Sequence, residues 1–96
     1  MTTNGNRQER RAARAGGQLD TTAFIALADR FIDLANRENR RVNATQLHMA
    51  FLYAAARYNA YVAKNVINIE DHEEFVAKMA ADYQEMLRNH LADPQL

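Results

Sequence analysis

The chain has 96 residues and a mass of 11.0 kDa, which is enough for one domain with a single core. It contains no cysteine, so disulfide bonds and thiolate metal sites are excluded. Twelve basic and twelve acidic side chains cancel to a formal net charge of zero, but the charge is unevenly distributed, with a basic N-terminal segment and an acidic last helix.

The N-terminal segment is polar and rich in arginine, and Gly16 and Gly17 divide it from the remainder of the chain. Residues 1–19 hold too little apolar surface to offset the entropy lost on ordering. We therefore predict a flexible basic tail over residues 1–19 and one folded domain over residues 20–96. Charged side chains also stand where a secretory signal would need an apolar run of about 7 to 15 residues, so we expect a cytoplasmic protein.

The first helix is predicted to begin at Asp20, Thr21 or Thr22, each of which can cap the free amides of a first turn. After them, apolar side chains recur at steps of three and four, which places them on one helical face. This face comprises Phe24, Leu27, Ala28, Phe31, Leu34 and Ala35, and is widened by Ile25 and Ile32. The polar run over residues 37–41 ends the helix.

The second helix is predicted to begin at Asn43, with Gln46 three residues on in the arrangement of a capping box. It is apolar on two faces, divided by a narrow polar wedge. The main face, which we expect to be buried, comprises Leu47, Ala50, Phe51, Ala54, Tyr58, Tyr61 and Val62. The opposite face comprises Met49, Tyr53, Ala56, Ala60 and Ala63.

This second apolar face predicts an interface. Three helices of a domain of about 75 residues cannot cover both faces of one member, and a two-fold homodimer is the commonest way to bury such a patch. The small residues Ala56, Ala60 and Ala63 would allow close helix approach. The alternative is a compact monomer with the second helix at its centre, covered by Ile25, Ile32, Ile67 and Ile69.

The third helix is predicted to start from Asn68 and Asp71, and its acidic first turn suits the positive end of the helix dipole. Its expected buried stripe comprises Phe75, Val76, Met79, Tyr83, Met86 and Leu87. No segment alternates with the period of a strand, so the predicted fold is all-α: a three-helix bundle with a disordered basic tail, as a dimer or a monomer. The most apolar stretch, residues 47–63, is interrupted by polar residues and is too short for a membrane span of about 20 residues.

Two strings resemble a known family: LADRFIDLAN, residues 27–36, and YAAARYNAYVAK, residues 53–64. They are similar to small bacterial helical proteins catalogued only as a domain of unknown function, number 3144 in its series. The similarity covers residues 22–92 and leaves the basic tail outside. It implies a bacterial cytoplasmic three-helix domain, and it carries over no catalytic residue.

The sequence offers no positive sign of catalysis. His72 and His90 are about five helical turns apart and cannot share one ion, His48 lies on the second helix, and no Glu-x-x-His pair is present. Serine is absent, as are phosphate-loop and metalloprotease motifs. We therefore predict no enzyme, metal or other cofactor. The alternative is an enzyme or small-molecule carrier. It predicts a pocket between helices with four side chains near it: Tyr58, Tyr61, Tyr83 and His72.

The arginine-rich tail suggests a second alternative, association with nucleic acid. Its candidate phosphate contacts are Arg7, Arg10, Arg11 and Arg14, with a further cluster at Arg37, Arg40 and Arg41. Against this, the last helix is acidic and no aromatic side chain is interleaved among these arginines for base stacking. A solubilising tail explains the same residues.

Arg57 and Asn59 interrupt the most apolar helix. Arg57 can extend from the polar wedge, pair with an acidic group of the third helix, or anchor a partner's carboxylate, and we favour the intramolecular pair. Asn59 is expected to form a hydrogen bond across helices rather than to bind a ligand. The function that the sequence favours is a non-enzymatic helical interaction module, an adaptor or a self-associating protein, with a homodimer as the expected state and another protein as a possible partner.

Overall fold

The structure is a computed structural model, and it describes residues 18–96. Within that range the chain forms three α-helices and no strand: α1, Thr21–Glu38; α2, Ala44–Asn65; and α3, His72–Leu91. The predicted all-α class with three helices is confirmed. The prediction of a flexible tail falls mainly on residues 1–17, which lie outside the described residues.

Each helix begins at a side-chain cap that the sequence predicts. The caps are Asp20, Asn43 and Asp71, and each side-chain oxygen accepts a hydrogen bond from the backbone amide three residues on, at 2.7, 2.9 and 3.0 Å. These bonds satisfy amides that have no partner within the first helical turn. The sequence therefore predicts the start of each helix to within a few residues, and these hydrogen bonds identify the cap.

The turn between α2 and α3 folds back on the end of α2. The amide of Ile67 donates to the carbonyl of Val62 at 3.0 Å, and that of Ile69 donates to the carbonyl of Ala63 at 2.8 Å. Asn68 between them has a φ of 52°. Asparagine tolerates this left-handed conformation better than most residues do, and residues 18–96 contain no glycine that could adopt it instead.

The contacts of the chain divide it into two units, with the boundary inside α2 between Phe51 and Leu52. The first unit contains α1 and the beginning of α2. In its helices, the half-buried residues are Ala23, Ala35, Glu38 and Leu47.

The second unit contains the rest of α2 and all of α3. It holds the one buried residue of the described chain, Ala63, which is 6% exposed. Its half-buried residues are Asn59, Val62, Ile69, Phe75 and Met79. They lie at the end of α2, in the turn and in the first turns of α3, so burial is concentrated where the chain reverses.

The apolar faces predicted for the core are largely exposed. Every residue of α1 from Phe24 to Leu34 is exposed, and so is every residue from Ala80 to the end of the chain. Periodicity identifies the face of a helix that would gain by burial, but it does not supply the surface that covers it. The predicted single-chain core is therefore not found for most of these residues.

Candidate interaction surface

Four residues of α2 form one exposed row, which we call the α2 stripe: Met49, Tyr53, Ala56 and Ala60. Their spacing of four, three and four residues places them on one side of the helix. Met49 is 52% exposed and Tyr53 is 68% exposed. The row therefore presents two large side chains followed by two small ones.

Ala63, predicted as the fifth member of this row, is instead the buried residue of the second unit. Its carbonyl accepts the hydrogen bond from Ile69, and this bond brings the turn against the end of α2. A methyl side chain suits such a close approach of the backbone. The prediction that Ala63 belongs to an interface is therefore corrected, and the α2 stripe ends at Ala60.

A pair of stacked aromatic rings lies elsewhere on α2. The centroids of Tyr58 and Tyr61 are 6.2 Å apart with an angle of 28° between the ring planes. The two side chains are 67% and 55% exposed, so the main face of α2 is also open to solvent here. Tyrosine combines a large apolar ring with a polar end, a combination common at interfaces. The periodicity of α2 predicts that this face is buried, whereas the exposure of both tyrosines shows that it is surface here.

The polar residues that interrupt α2 lack the contacts predicted for them. Within residues 18–96 no ion pair joins Arg57 to an acidic group, so the predicted pair with α3 is not found. Asn59 is half-buried, and its side chain forms no hydrogen bond in this part of the chain. Arg57 is exposed beside the α2 stripe. It therefore keeps the capacity to bind a carboxylate of another molecule.

Basic side chains gather in the last turn of α1 and in the connection to α2, and together we call them the arginine turn: Arg37, Arg40 and Arg41. The guanidinium of Arg41 donates a hydrogen bond of 2.6 Å to the carboxylate of Glu38. This hydrogen bond, and then the negative charge of Glu38, raise the pKa of Arg41 above its usual value. Because the pair is largely exposed, it contributes little to stability. The turn keeps a net positive charge.

Acidic side chains gather at the other end of α2, in what we call the acidic turn: Glu70, Asp71, Glu73 and Glu74. Asp71 is the cap of α3, and the carboxylates of Glu73 and Glu74 lie in its first helical turn. The positive end of the α3 dipole stabilises negative charge here. Helix α2 is therefore flanked by a basic turn at its start and an acidic turn at its end.

A depression on the first unit is lined mainly by polar side chains: Arg30, Asp33, Asn36, Arg37 and Arg40. It is open to solvent. The residues predicted to lie near a ligand pocket do not line it: Tyr58, Tyr61, Tyr83 and His72. The alternative of a small-molecule carrier thus gains no support from this depression.

The described histidines do not converge with other ligands. His48, His72 and His90 are all exposed. Across residues 18–96, no group of three histidine or acidic side chains is arranged to hold a metal ion. None of the helices in the same range combines the length and the apolar character that a membrane span requires.

The candidate nucleic-acid contacts in the tail, Arg7, Arg10, Arg11 and Arg14, lie outside the described residues. The arginine turn is described and is exposed. Its basic charge is flanked by Asp33 and Glu38, and no aromatic side chain lines the adjoining depression. The described part of the chain therefore provides a small basic patch without a surface for base stacking.

The chain is similar to a known protein family. A family model described as "Protein of unknown function (DUF3144)" matches residues 24–94. The chain matches no curated protein and no solved structure. The matched range includes all of α2 and α3 and most of α1, and it agrees closely with the similarity expected over residues 22–92.

Proposed function

This chain belongs to the DUF3144 family, whose description assigns no function, and we propose that it is a non-enzymatic helical interaction module. In this proposal the helices complete their packing only against other copies of the chain. The α2 stripe is the central contact, and the exposed faces of α1 and α3 enlarge it. The cysteine-free sequence suits a reducing compartment, and we include a cytoplasmic location in the proposal.

The observation that carries this proposal is the extent of exposed apolar surface. Twenty-two large apolar side chains are exposed in residues 18–96. If each offers on the order of 100 Å², their exposed areas sum to on the order of 2,000 Å². Specific interfaces bury about 1,200 to 2,000 Å² in total. The exposed surface is therefore large enough for a stable association.

The state of α1 supports the same proposal. Its apolar residues from Phe24 to Leu34 have no cover, yet they keep the spacing of a buried helical face. Helices in water gain most of their stability from packing of such a face rather than from intrinsic propensity. A chain that forms α1 stably therefore needs a surface for it, and self-association supplies one without a second gene product.

The experiment is a measurement of solution mass by light scattering over a series of protein concentrations, with helicity followed by circular dichroism. We expect a dimer or larger species that dissociates on dilution, with loss of helicity. Ala56→Arg places a charge in the α2 stripe and should weaken association by about 100-fold or more, as expected for an unpaired charge at the centre of an interface.

Ala55→Arg is the matched control. Ala55 is an exposed neighbour on the same helix, but it lies away from the α2 stripe. This variant should associate like the unmodified chain. A monomer at every concentration, with helicity unchanged on dilution, would contradict the proposal. If the chain stays monomeric alone and forms a complex only when a different protein is added, the surface belongs to that partner. This result would also contradict the proposal.

A further inference from the structure

We propose that the partner on the α2 stripe is a second copy in antiparallel orientation, with the arginine turn of each chain against the acidic turn of the other. This inference rests on the self-association proposed above and adds its geometry. Two independent observations carry it. One is the distribution of charge at the ends of α2, and the other is the order of large and small side chains along the α2 stripe.

The charge distribution distinguishes the two possible directions. Helix α2 has 22 residues and is therefore about 33 Å long. Exposed charges are screened beyond about 8 to 10 Å, so charges at its two ends do not neutralise each other along the helix. An antiparallel copy places an arginine turn against an acidic turn at both ends of the paired helices. A parallel copy places the arginine turns together and the acidic turns together, which is unfavourable.

The side-chain sizes agree with the antiparallel direction. The midpoint of α2 lies between Ala54 and Ala55. When two copies cross antiparallel about this midpoint, Met49 of each chain lies opposite Ala60 of the other, and Tyr53 lies opposite Ala56. Each large side chain therefore meets a small one, the arrangement that fills space between helices. In a parallel pair, Tyr53 would meet Tyr53 and the alanines would leave gaps.

The same features favour a second copy over an unrelated partner. Helix α2 and its flanking turns contain both the basic and the acidic residues, and both the large and the small side chains, that the contact pairs with each other. A two-fold contact uses one patch twice, so the patch must be complementary to itself. The α2 stripe with its two turns meets that requirement.

The first test uses distances between nitroxide labels, since the chain has no cysteine and each variant carries a single thiol. The labels are attached to Gln46→Cys and to Arg57→Cys, because both residues are exposed and lie beside the α2 stripe. With helix axes about 8 to 10 Å apart and a rise of about 1.5 Å per residue, the antiparallel pair predicts about 27 Å between labels at position 46. For labels at position 57, the antiparallel pair predicts a distance of only about 12 Å. A parallel pair predicts about 10 Å between the labels at either position.

The second test reverses charge. Arg37→Glu/Arg40→Glu makes both turns acidic, and Glu70→Arg/Glu73→Arg/Glu74→Arg makes both turns basic, because Asp71 is then the one carboxylate left among the four residues of the acidic turn. Each variant alone should dimerise at least about tenfold more weakly, since several exposed pairs change from attractive to repulsive. An equimolar mixture should recover the affinity, because every turn in the mixed dimer again faces its opposite. Asp82→Arg/Glu85→Arg, which reverses two carboxylates elsewhere on α3, is the control and should change affinity less than threefold.

The outcomes separate the two proposals. A chain that stays monomeric would overturn both. A dimer with short distances at positions 46 and 57, or with charge-reversed variants as tight as the unmodified chain, would overturn the antiparallel geometry and leave self-association in place. Long distances at position 46, short distances at position 57 and recovery in the mixture would establish the geometry.

Discussion

The two ends of α2 differ in what they bury. At the end that leads into α3, Ala63 is 6% exposed and Phe75 and Met79 are half-buried. At the end that follows α1, Leu47 and Ala35 are half-buried and no residue is fully buried. The first connection is rich in arginine, whereas the second folds back through backbone hydrogen bonds to the carbonyls of α2. Local burial thus depends on a turn that brings backbone close to a small side chain.

The largest effect should come from a substitution at the buried end. Ala63→Leu adds volume where the turn approaches α2, and overpacking of this kind costs about 1 to 3 kcal/mol. Ala55→Leu, on an exposed part of the same helix, should change stability by no more than about 0.5 kcal/mol. Urea unfolding at one fixed protein concentration measures both, since association contributes to stability. Equal effects of the two substitutions would show that the two environments do not differ.

The helix caps provide an intermediate effect that sharpens the same comparison. Asp71→Ala removes the cap of α3, whose first turns are partly packed, and should lower the free energy of unfolding by about 1 kcal/mol. Asp20→Ala removes the cap of α1, whose following residues are exposed. It should reduce helicity at the start of α1 with a smaller shift of the main transition. Circular dichroism during urea unfolding distinguishes these results, and a larger shift for Asp20→Ala would reverse the comparison.

The smallest effect should come from the arginine turn. Arg41→Gln removes the ion pair with Glu38, which is exposed to solvent and screened by salt. We expect the unfolding midpoint to stay within the error of measurement, and Glu38→Gln should behave in the same way. A clear decrease in the unfolding midpoint of either variant would show that the ion pair stabilises the connection between α1 and α2.

The sequence was sufficient to predict the helices but not their packing. Asp20, Asn43 and Asp71 cap through neighbours only three residues away, so a short stretch of sequence contains both donor and acceptor. Exposure of Phe24 or Tyr58 depends instead on which distant surface covers the helix. Periodicity contains no information about that surface, and this is why faces assigned to a core are exposed.

Ala63 shows the same limit at one residue. Its place on the helical wheel, beside Ala60, made it a member of the exposed row. Its burial arises from the turn that follows, in which Asn68 adopts a left-handed conformation and Ile69 donates to the carbonyl of Ala63. Helical spacing cannot anticipate a contact that a later turn creates. The sequence did indicate a break at this point, but it did not indicate the direction in which the chain folds back.

The uncovered face of α1 has a consequence for the cell if self-association holds. By mass action, the folded fraction of such a chain rises with its own concentration. Chains made in small numbers would remain open to proteases, which act on the unpacked state. Small changes in synthesis rate would then produce larger changes in the amount of intact protein. The level of folded protein would rise steeply once synthesis exceeded a threshold.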